Sequence, residues 1–299
     1  QYETDVFISL LINLIEKNGE TSRLKDKTGK TAERLKSKKL YLLDMDGTIY
    51  NENEIFDGTL EFLEEIRQRG AQYIFITNNS SKSVKDYVKK VNDMGIFADE
   101  ENFYTSSQAT AAYIKENYPG QIVYCMGTQS LVEELQSAGI EVVTEADDRA
   151  SIVLIGFDTE NTSEKIRNTC IMLGKEVAYL ATNPDLVCPV SFGYIPDCGS
   201  MSIMLKNATG KEPFFIGKPE PIMVNCVLKK LGVDKEDAVI VGDRLYTDIK
   251  TGINAKIDTI CVLSGEAEMK DILEGEIKPD YIFDSVKEIY EKLTEVENE

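Results

Sequence analysis

The chain of 299 residues contains no histidine and no tryptophan. Ser-His-Asp triads, Cys-His pairs and histidine-ligated metal centres all need an imidazole, so the missing histidine excludes each of them. Any acid–base chemistry must therefore come from carboxylate, lysine, tyrosine or cysteine side chains.

Basic residues are scarce. The chain has 33 Lys and Arg against 52 Asp and Glu, which gives a formal net charge of −19. Nucleic acids and anionic membranes bind basic surfaces, so neither is an expected partner, and the simplest explanation of the acidity is solubility. The apolar content of 42% is ample for a packed core.

Long hydrophobic runs are also missing. The longest, residues 6–15, is broken by Ser9 and Asn13 and is far shorter than the ~20 residues of a membrane-spanning helix. Glu3 and Asp5 stand where a secretory signal carries positive charge. The six cysteines are scattered without paired spacing, which is typical of reduced thiols. We therefore expect a soluble, cytoplasmic protein.

Strand-like and helix-like segments alternate regularly from residue 40 onwards. The apolar runs at 40–43, 73–76, 214–216 and 238–241 have no polar alternation, which is typical of strands buried on both faces of a parallel sheet. Apolar residues at helical spacing follow several of these runs. The alternation predicts an α/β fold with a doubly wound parallel sheet.

The pattern divides the chain into an extension, a core and an insertion. Residues 119–212 form a second series of strands and helices, which we predict to be an inserted α/β cap domain, with the core formed by residues 40–118 and 213–299. Residues 1–39 are predicted to hold an amphipathic helix at about 4–17, followed by a linker with some helix near residues 31–36. The helix is expected to pack on the core or on a second subunit of a homodimer, and partner docking is the alternative.

Four short polar segments each follow a predicted strand. Ligands bind outside the carboxyl ends of parallel strands, so all four segments are expected to meet in one crevice. Acids, one lysine and hydrogen-bonding side chains come together there, which suits phosphoryl transfer. The segments are Asp44-Met45-Asp46-Gly47-Thr48, Thr77-Asn78-Asn79-Ser80, Gly217-Lys218-Pro219, and Gly242-Asp243 with Asp248.

In this order the segments resemble the four motifs of the haloacid dehalogenase (HAD) superfamily of phosphatases. The residues of the second and third segments, with the long insertion between them, resemble those of the p-nitrophenylphosphatase-like branch, which carries a large α/β cap (subfamily IIA). The similarity runs from about residue 39 to 293, and the extension 1–39 departs from it. The resemblance implies a Mg²⁺-dependent phosphatase for small soluble phosphate monoesters, such as sugar phosphates, nucleoside monophosphates and 4-nitrophenyl phosphate, that works through an aspartyl-phosphate.

The motif residues receive distinct roles. Asp44 is the candidate nucleophile, and Asp46 would protonate the leaving group and later deprotonate the attacking water. Lys218 would offset the charge of Asp44 and of the phosphate during attack.

A magnesium ion would be held by oxygen ligands. These are the carboxylates of Asp44 and Asp243 and, as the resemblance implies, the backbone carbonyl of Asp46. Gly242 and Asp248 lie around this set. Asp248 either holds metal-bound waters or orients Lys218, or it is simply an acid favoured by a helix N-terminus.

The substrate is expected to meet further polar groups. Thr77 and Asn78 are predicted to bond phosphate oxygens, and Asn79 either does the same or caps the following helix. In the predicted cap, Asn183 and Asp185 follow a strand and resemble the family's substrate-facing loop.

Two other functions use the same residues. A phosphomutase would share Asp44 and Asp46, but it usually has a smaller cap placed between the first two motifs. A non-catalytic phosphate sensor would be expected to have lost a motif acid, and all of them are present.

Overall fold

A computed structural model describes residues 24–295. The amphipathic helix predicted at about 4–17 lies outside the described residues. Within the described part of the chain, no helix is both long enough and apolar enough to cross a membrane.

Strands and helices alternate along almost the whole described chain. The strands, in chain order, are β1 (Leu40–Leu43), β2 (Tyr50–Asn51), β3 (Glu54–Ile55), β4 (Gln72–Thr77), β5 (Phe103–Thr105), β6 (Ile122–Met126), β7 (Val142–Val143), β8 (Ala150–Ile155), β9 (Ala178–Ala181), β10 (Val187–Val190), β11 (Gly193–Pro196), β12 (Phe214–Phe215), β13 (Ala238–Gly242), β14 (Asp258–Val262) and β15 (Tyr281–Phe283). The α-helices are α1 (Thr59–Gln68), α2 (Val84–Asp93), α3 (Ser106–Asn117), α4 (Gln129–Ser137), α5 (Ser163–Leu173), α6 (Cys198–Thr209), α7 (Ile222–Leu231), α8 (Lys250–Ala255), α9 (Met269–Glu274) and α10 (Val286–Thr294).

Six parallel strands form the first sheet, in the order β15-β14-β13-β1-β4-β5. Its central strands β1 and β13 are buried along their full length. Leu42 of β1 lies between Ile240 of β13 and Ile74 of β4. The predicted α/β fold with a parallel sheet is confirmed. The strands lack polar alternation because both faces of the sheet are covered, as expected.

Five parallel strands form the second sheet, in the order β12-β9-β8-β6-β7. The prediction that residues 214–216 precede the third motif within the first sheet is wrong, because Phe214 pairs with Leu180 of β9. A two-residue apolar strand carries no signal that tells which of two parallel sheets it will join. The antiparallel hairpin β10–β11 was also not predicted.

The two sheets share one apolar cluster. It contains Leu42 and Ile76 from the first sheet together with Val123 and Leu154 from the second. Helices α3 and α7 pack against each other within this layer. The second sheet is therefore packed firmly beside the first, and the loops at their ends can meet.

Residues 24–39 contain a short 3-10 helix at Glu33–Ser37, close to the helix predicted near 31–36, but they pack on the core and do not form a free linker. Leu24 and Leu35 are buried in the core beneath the first sheet. The backbone N–H of Lys27 donates to the Ile282 carbonyl at 2.8 Å, and the Asp26 carboxylate accepts the Ile282 N–H at 3.1 Å. The segment thus covers strand β15, which is the edge of the sheet, and removes an exposed row of backbone groups.

Candidate active site

The first and fourth motifs end neighbouring strands of the first sheet. Asp44 follows β1 and Asp243 follows β13, and these strands are paired. Carboxylate oxygens of Asp44, Asp243 and Asp248 all lie within 4.8 Å of one another, and the three side chains are buried. The structure therefore brings together the acids that were predicted to meet.

Lys218 joins two of these acids. Its Nζ donates to Oδ1 of Asp44 at 2.6 Å and to Oδ1 of Asp248 at 2.6 Å. Burial by itself would lower the pKa of Lys218, but the charges of Asp248 and Asp44 outweigh burial and raise that pKa. The ammonium is held charged against Asp44, where it can offset negative charge.

Two glycines allow the acids to approach. Gly47 has a φ of +84°, and a Cβ placed on it would lie 2.4 Å from Oδ2 of Asp243. A Cβ on Gly242 would lie 2.3 Å from the Cβ of Asp248. Any side chain at either position would push a carboxylate out of the cluster.

The cluster carries more negative than positive charge. Burial, with the nearby charges of Asp44 and Asp248, raises the pKa of Asp243, and burial with the charge of Asp44 raises the pKa of Asp248. Asp243 accepts the Glu266 N–H at 2.8 Å, and Asp248 accepts the Arg244 N–H at 3.1 Å. Three buried carboxylates beside one ammonium form the all-oxygen, electron-rich donor set that a hard divalent cation prefers.

Asp46 lies in a different environment. Its side chain is 57% exposed and stands at the mouth of the crevice. The Tyr50 hydroxyl donates to Oδ2 of Asp46 at 3.4 Å, and Nζ of Lys90 lies 3.9 Å from Oδ1. Desolvation raises the pKa of Asp46 and outweighs the charge of Lys90, which lowers it; the raised pKa favours a carboxyl group able to donate a proton.

The Asn78 side chain is used for bracing. Its Oδ1 accepts the Lys218 N–H at 2.7 Å, while its Nδ2 donates to the Lys218 carbonyl at 2.9 Å and to Oδ2 of Asp185 at 3.1 Å. This amide has no donor left for a phosphate oxygen, although that role was predicted. Asn78 instead fixes the loop that carries Lys218.

Thr77 and Asn79 shape the same loop. Oγ1 of Thr77 accepts the Asn79 N–H at 3.2 Å, and Oδ1 of Asn79 accepts the Ser81 N–H at 2.9 Å. Ser83, and not Asn79, is the N-cap of α2. Neither side chain is fully buried, so both remain candidates for contact with substrate.

The two residues predicted in the cap, Asn183 and Asp185, have different surroundings. Asn183 is 0% exposed; its Nδ2 donates to Oδ1 of Asp197 at 3.1 Å, and its Oδ1 accepts from the Thr182 hydroxyl at 2.8 Å. Asn183 therefore supports the loop from inside and does not face a substrate. Asp185 reaches the first sheet through its contact with Asn78.

Two stretches of the chain match family models. Residues 41–141 match a haloacid dehalogenase-like hydrolase model, and residues 215–289 match a HAD-hydrolase-like model. An acid sugar phosphatase of Staphylococcus saprophyticus is 36% identical over 259 residues, which are 87% of this chain and 99% of that protein. The chain belongs to the haloacid dehalogenase-like hydrolases.

Solved structures agree with this assignment. A 4-nitrophenylphosphatase of Thermotoga maritima is 37% identical, with a TM-score of 0.82 over 87% of this chain and 99% of that one. A glycerol phosphate phosphatase of Mycobacterium tuberculosis, solved in complex with magnesium, is 27% identical, with a TM-score of 0.80 over 85% of this chain and 76% of that one. Within the HAD-like hydrolases, the chain is thus a phosphatase of the 4-nitrophenylphosphatase-like branch.

Three charged or polar residues of this HAD-like site were missed from the sequence. Arg244 lies within the fourth motif and forms an ion pair with Glu266, with 3.0 Å between Nε and Oε2. Tyr50 follows the first motif by two residues, and Lys90 lies on α2. The position of Arg244 inside a motif could have identified it, whereas nothing in the sequence links Lys90 to Asp46.

Proposed function

We propose that the protein is a Mg²⁺-dependent phosphatase that hydrolyses small phosphate monoesters through an aspartyl-phosphate on Asp44. The single observation that carries this proposal is the short contact between Nζ of Lys218 and Oδ1 of Asp44, at 2.6 Å. It places a buried cation on one carboxylate oxygen and leaves the other oxygen to attack a phosphate that would otherwise be repelled.

The reaction proceeds in two steps, transfer of the phosphoryl group to Asp44 and hydrolysis of the aspartyl-phosphate. Asp44 forms a bond to phosphorus while the bond from phosphorus to the ester oxygen breaks, and the Asp46 carboxyl group gives its proton to that oxygen, which leaves as an alcohol. A water molecule then attacks phosphorus, Asp46 takes up the water proton, and the bond from Asp44 to phosphorus breaks. Asp44 and the protonated Asp46 are restored, and phosphate is released.

The buried acids fit a divalent cation. The carboxylates of Asp44 and Asp243 and the backbone carbonyl of Asp46 would hold Mg²⁺, with Asp248 orienting Lys218 beside them. When bound, the ion would supply positive charge to the phosphoryl oxygens.

The substrate class is proposed from the relatives and the cap. The proteins compared above are named for sugar phosphates, glycerol phosphate and 4-nitrophenyl phosphate. Residues 119–212 supply most of the second sheet, which packs beside the crevice and favours small substrates that fit beneath a cap. Sugar phosphates and nucleoside monophosphates are therefore the proposed substrates. The phosphomutase alternative gains no support from these relatives.

Phosphate release from a panel of esters tests the proposal. Wild type should hydrolyse 4-nitrophenyl phosphate and at least one sugar phosphate with Mg²⁺, and EDTA should abolish both activities. Asp243→Asn should lose most of this activity at any Mg²⁺ concentration, whereas Asp237→Asn, a surface control that pairs with Lys39, should match wild type. Undiminished activity in EDTA would contradict the metal requirement.

A further inference from the structure

Asp46 has little to hold it in place. Its side chain is mostly exposed, and within the described residues its side-chain partners are Tyr50 and Lys90. Both steps of the proposed mechanism need the Asp46 carboxyl group to point at one oxygen, first of the leaving group and then of water. A carboxyl group free to rotate would meet that oxygen only part of the time.

Tyr50 is placed beside Asp46 by the first motif itself. The backbone turns tightly after Met45, whose carbonyl accepts the N–H groups of Ile49 and Tyr50 at 2.8 and 3.3 Å. The Tyr50 side chain is fully buried, so its ring is held in place, and its hydroxyl donates to Oδ2 of Asp46 at 3.4 Å.

Lys90 comes from a separate element. Helix α2 buries Val84, Tyr87 and Val91, and Lys90 lies at the border of this apolar face, with its side chain only 25% exposed. Its Nζ stands 4.0 Å from the centre of the Tyr50 ring and 3.9 Å from Oδ1 of Asp46. A cation over an aromatic face gains attraction from the ring, so the Tyr50 ring holds the ammonium next to the carboxylate.

We propose that Lys90 is a positioning residue that, together with the Tyr50 hydroxyl, holds the Asp46 carboxyl group in the orientation needed for proton transfer. The hydroxyl engages Oδ2 and the ammonium faces Oδ1, so the two groups fix both ends of the carboxyl group. The inference rests on the proposed function, since it assigns the proton transfer to Asp46. It extends that function to a residue outside the four motifs.

Two esters and three variants test the inference. The value of kcat/KM reports on the reaction only up to departure of the leaving group. A 4-nitrophenolate can depart without taking up a proton, whereas a sugar alkoxide cannot, so only the sugar phosphate needs the Asp46 proton in this step. Lys90→Met keeps the aliphatic stem and removes the charge. It should lower kcat/KM for the best sugar phosphate by about 10-fold and for 4-nitrophenyl phosphate by no more than about 2-fold. Tyr50→Phe should show the same selective loss. Lys90→Arg keeps the positive charge and should retain most of the wild-type rate.

The matched control is the preceding lysine of α2. Lys89 is 77% exposed and pairs with Asp93, so Lys89→Met should equal wild type on both esters. In an Asp46→Asn background, Lys90→Met should add no further loss, because there is no longer a proton transfer to orient.

Three results would overturn the inference. The first is an equal loss on both esters in Lys90→Met that persists in the Asp46→Asn background, which would place Lys90 on the substrate phosphate. The second is no loss in Lys90→Met. The third is the same loss in Lys89→Met as in Lys90→Met. Failure of the proposed function would look different, because wild type itself would then release phosphate from neither ester.

Discussion

Asn78 of the first sheet and Asp185 of the cap loop are joined directly, with 3.1 Å between Nδ2 and Oδ2. The same Asn78 amide holds both backbone groups of Lys218. Asn78 thus links Asp185 to Lys218, the lysine that contacts Asp44, although Asp185 lies far from Asn78 in sequence. We therefore propose that Asp185 responds to the leaving group, while the motif residues act on the phosphate.

Replacement of Asp185 should change substrate preference. Asp185→Ala should reorder kcat/KM among natural phosphate esters by about 1–3 kcal/mol per lost polar contact, and 4-nitrophenyl phosphate should be affected least. The measurement is kcat/KM across the ester panel. Equal losses on every ester would show instead that Asp185 acts only through Lys218.

Replacement of Asn183 should change stability and leave preference alone. Asn183→Ala removes one hydrogen bond from the buried Thr182 hydroxyl and one from the buried Asp197 carboxylate, which should cost about 1–3 kcal/mol in the free energy of unfolding. Urea denaturation measures this cost, and the ester panel should keep its order. A reordered panel with unchanged stability would return Asn183 to the substrate-binding set.

Asp197 should make stability depend on pH. Burial raises its pKa from 3.8 to about 6, against the opposing hydrogen bonds from the Cys198 N–H and Asn183. The folded state therefore binds the Asp197 proton more tightly than the unfolded state does. This contribution to stability is complete below pH 3.8 and is lost as the pH rises through about 6.

Asp197→Asn should remove that dependence. The free energy of unfolding of the variant, relative to wild type, should rise between pH 4.5 and 7.5 by about 3 kcal/mol at most. Urea denaturation across this range gives the difference, with Asp93→Asn on the exposed side of α2 as the control. A difference that stays constant with pH would mean that Asp197 has an ordinary pKa in the folded protein.

Asp26 should stabilise the sheet edge without affecting catalysis. Its carboxylate accepts the N–H groups of Thr28, Lys30 and Ile282 at 3.0, 2.8 and 3.1 Å. Asp26→Ala should therefore lower the free energy of unfolding by about 2–3 kcal/mol at unchanged kcat/KM. Asp284→Ala, at a position 59% exposed, should change little. Equal stability of the two variants would show that the Asp26 carboxylate does not stabilise the sheet edge.

Much of the first sheet was predictable because its signals are local. Residues 40–43 and 238–241 are apolar without alternation since both faces are covered, and the motifs follow at the strand ends. Asp44 and Asp243 were predicted to meet for the same reason, because ligands bind at the carboxyl ends of parallel strands. Lys218 follows β12 of the second sheet, so its contact with Asp44 depends on how the two sheets pack.

The remaining features depend on contacts between distant segments. Phe214 could have joined either sheet, and only the pairing with Leu180 decides between them. Asn78 and Asn183 carry polar amides that suit a phosphate as well as they suit a buried brace. The contact of Lys90 with Asp46 depends on how α2 packs across the first motif, which the sequence of α2 does not reveal.

The central claim is that Asp44 becomes phosphorylated, and a trapping experiment tests it most directly. In Asp46→Asn, 4-nitrophenolate can still depart, but the attacking water loses its base, so the phospho-enzyme should accumulate. Acid quenching followed by peptide mass spectrometry should find a phosphate adduct on the peptide that contains Asp44, with a stoichiometric burst of 4-nitrophenolate. Asp44→Asn should show neither, with turnover reduced on the order of 10³-fold or more. An adduct on another residue, or full turnover in Asp44→Asn, would contradict the account.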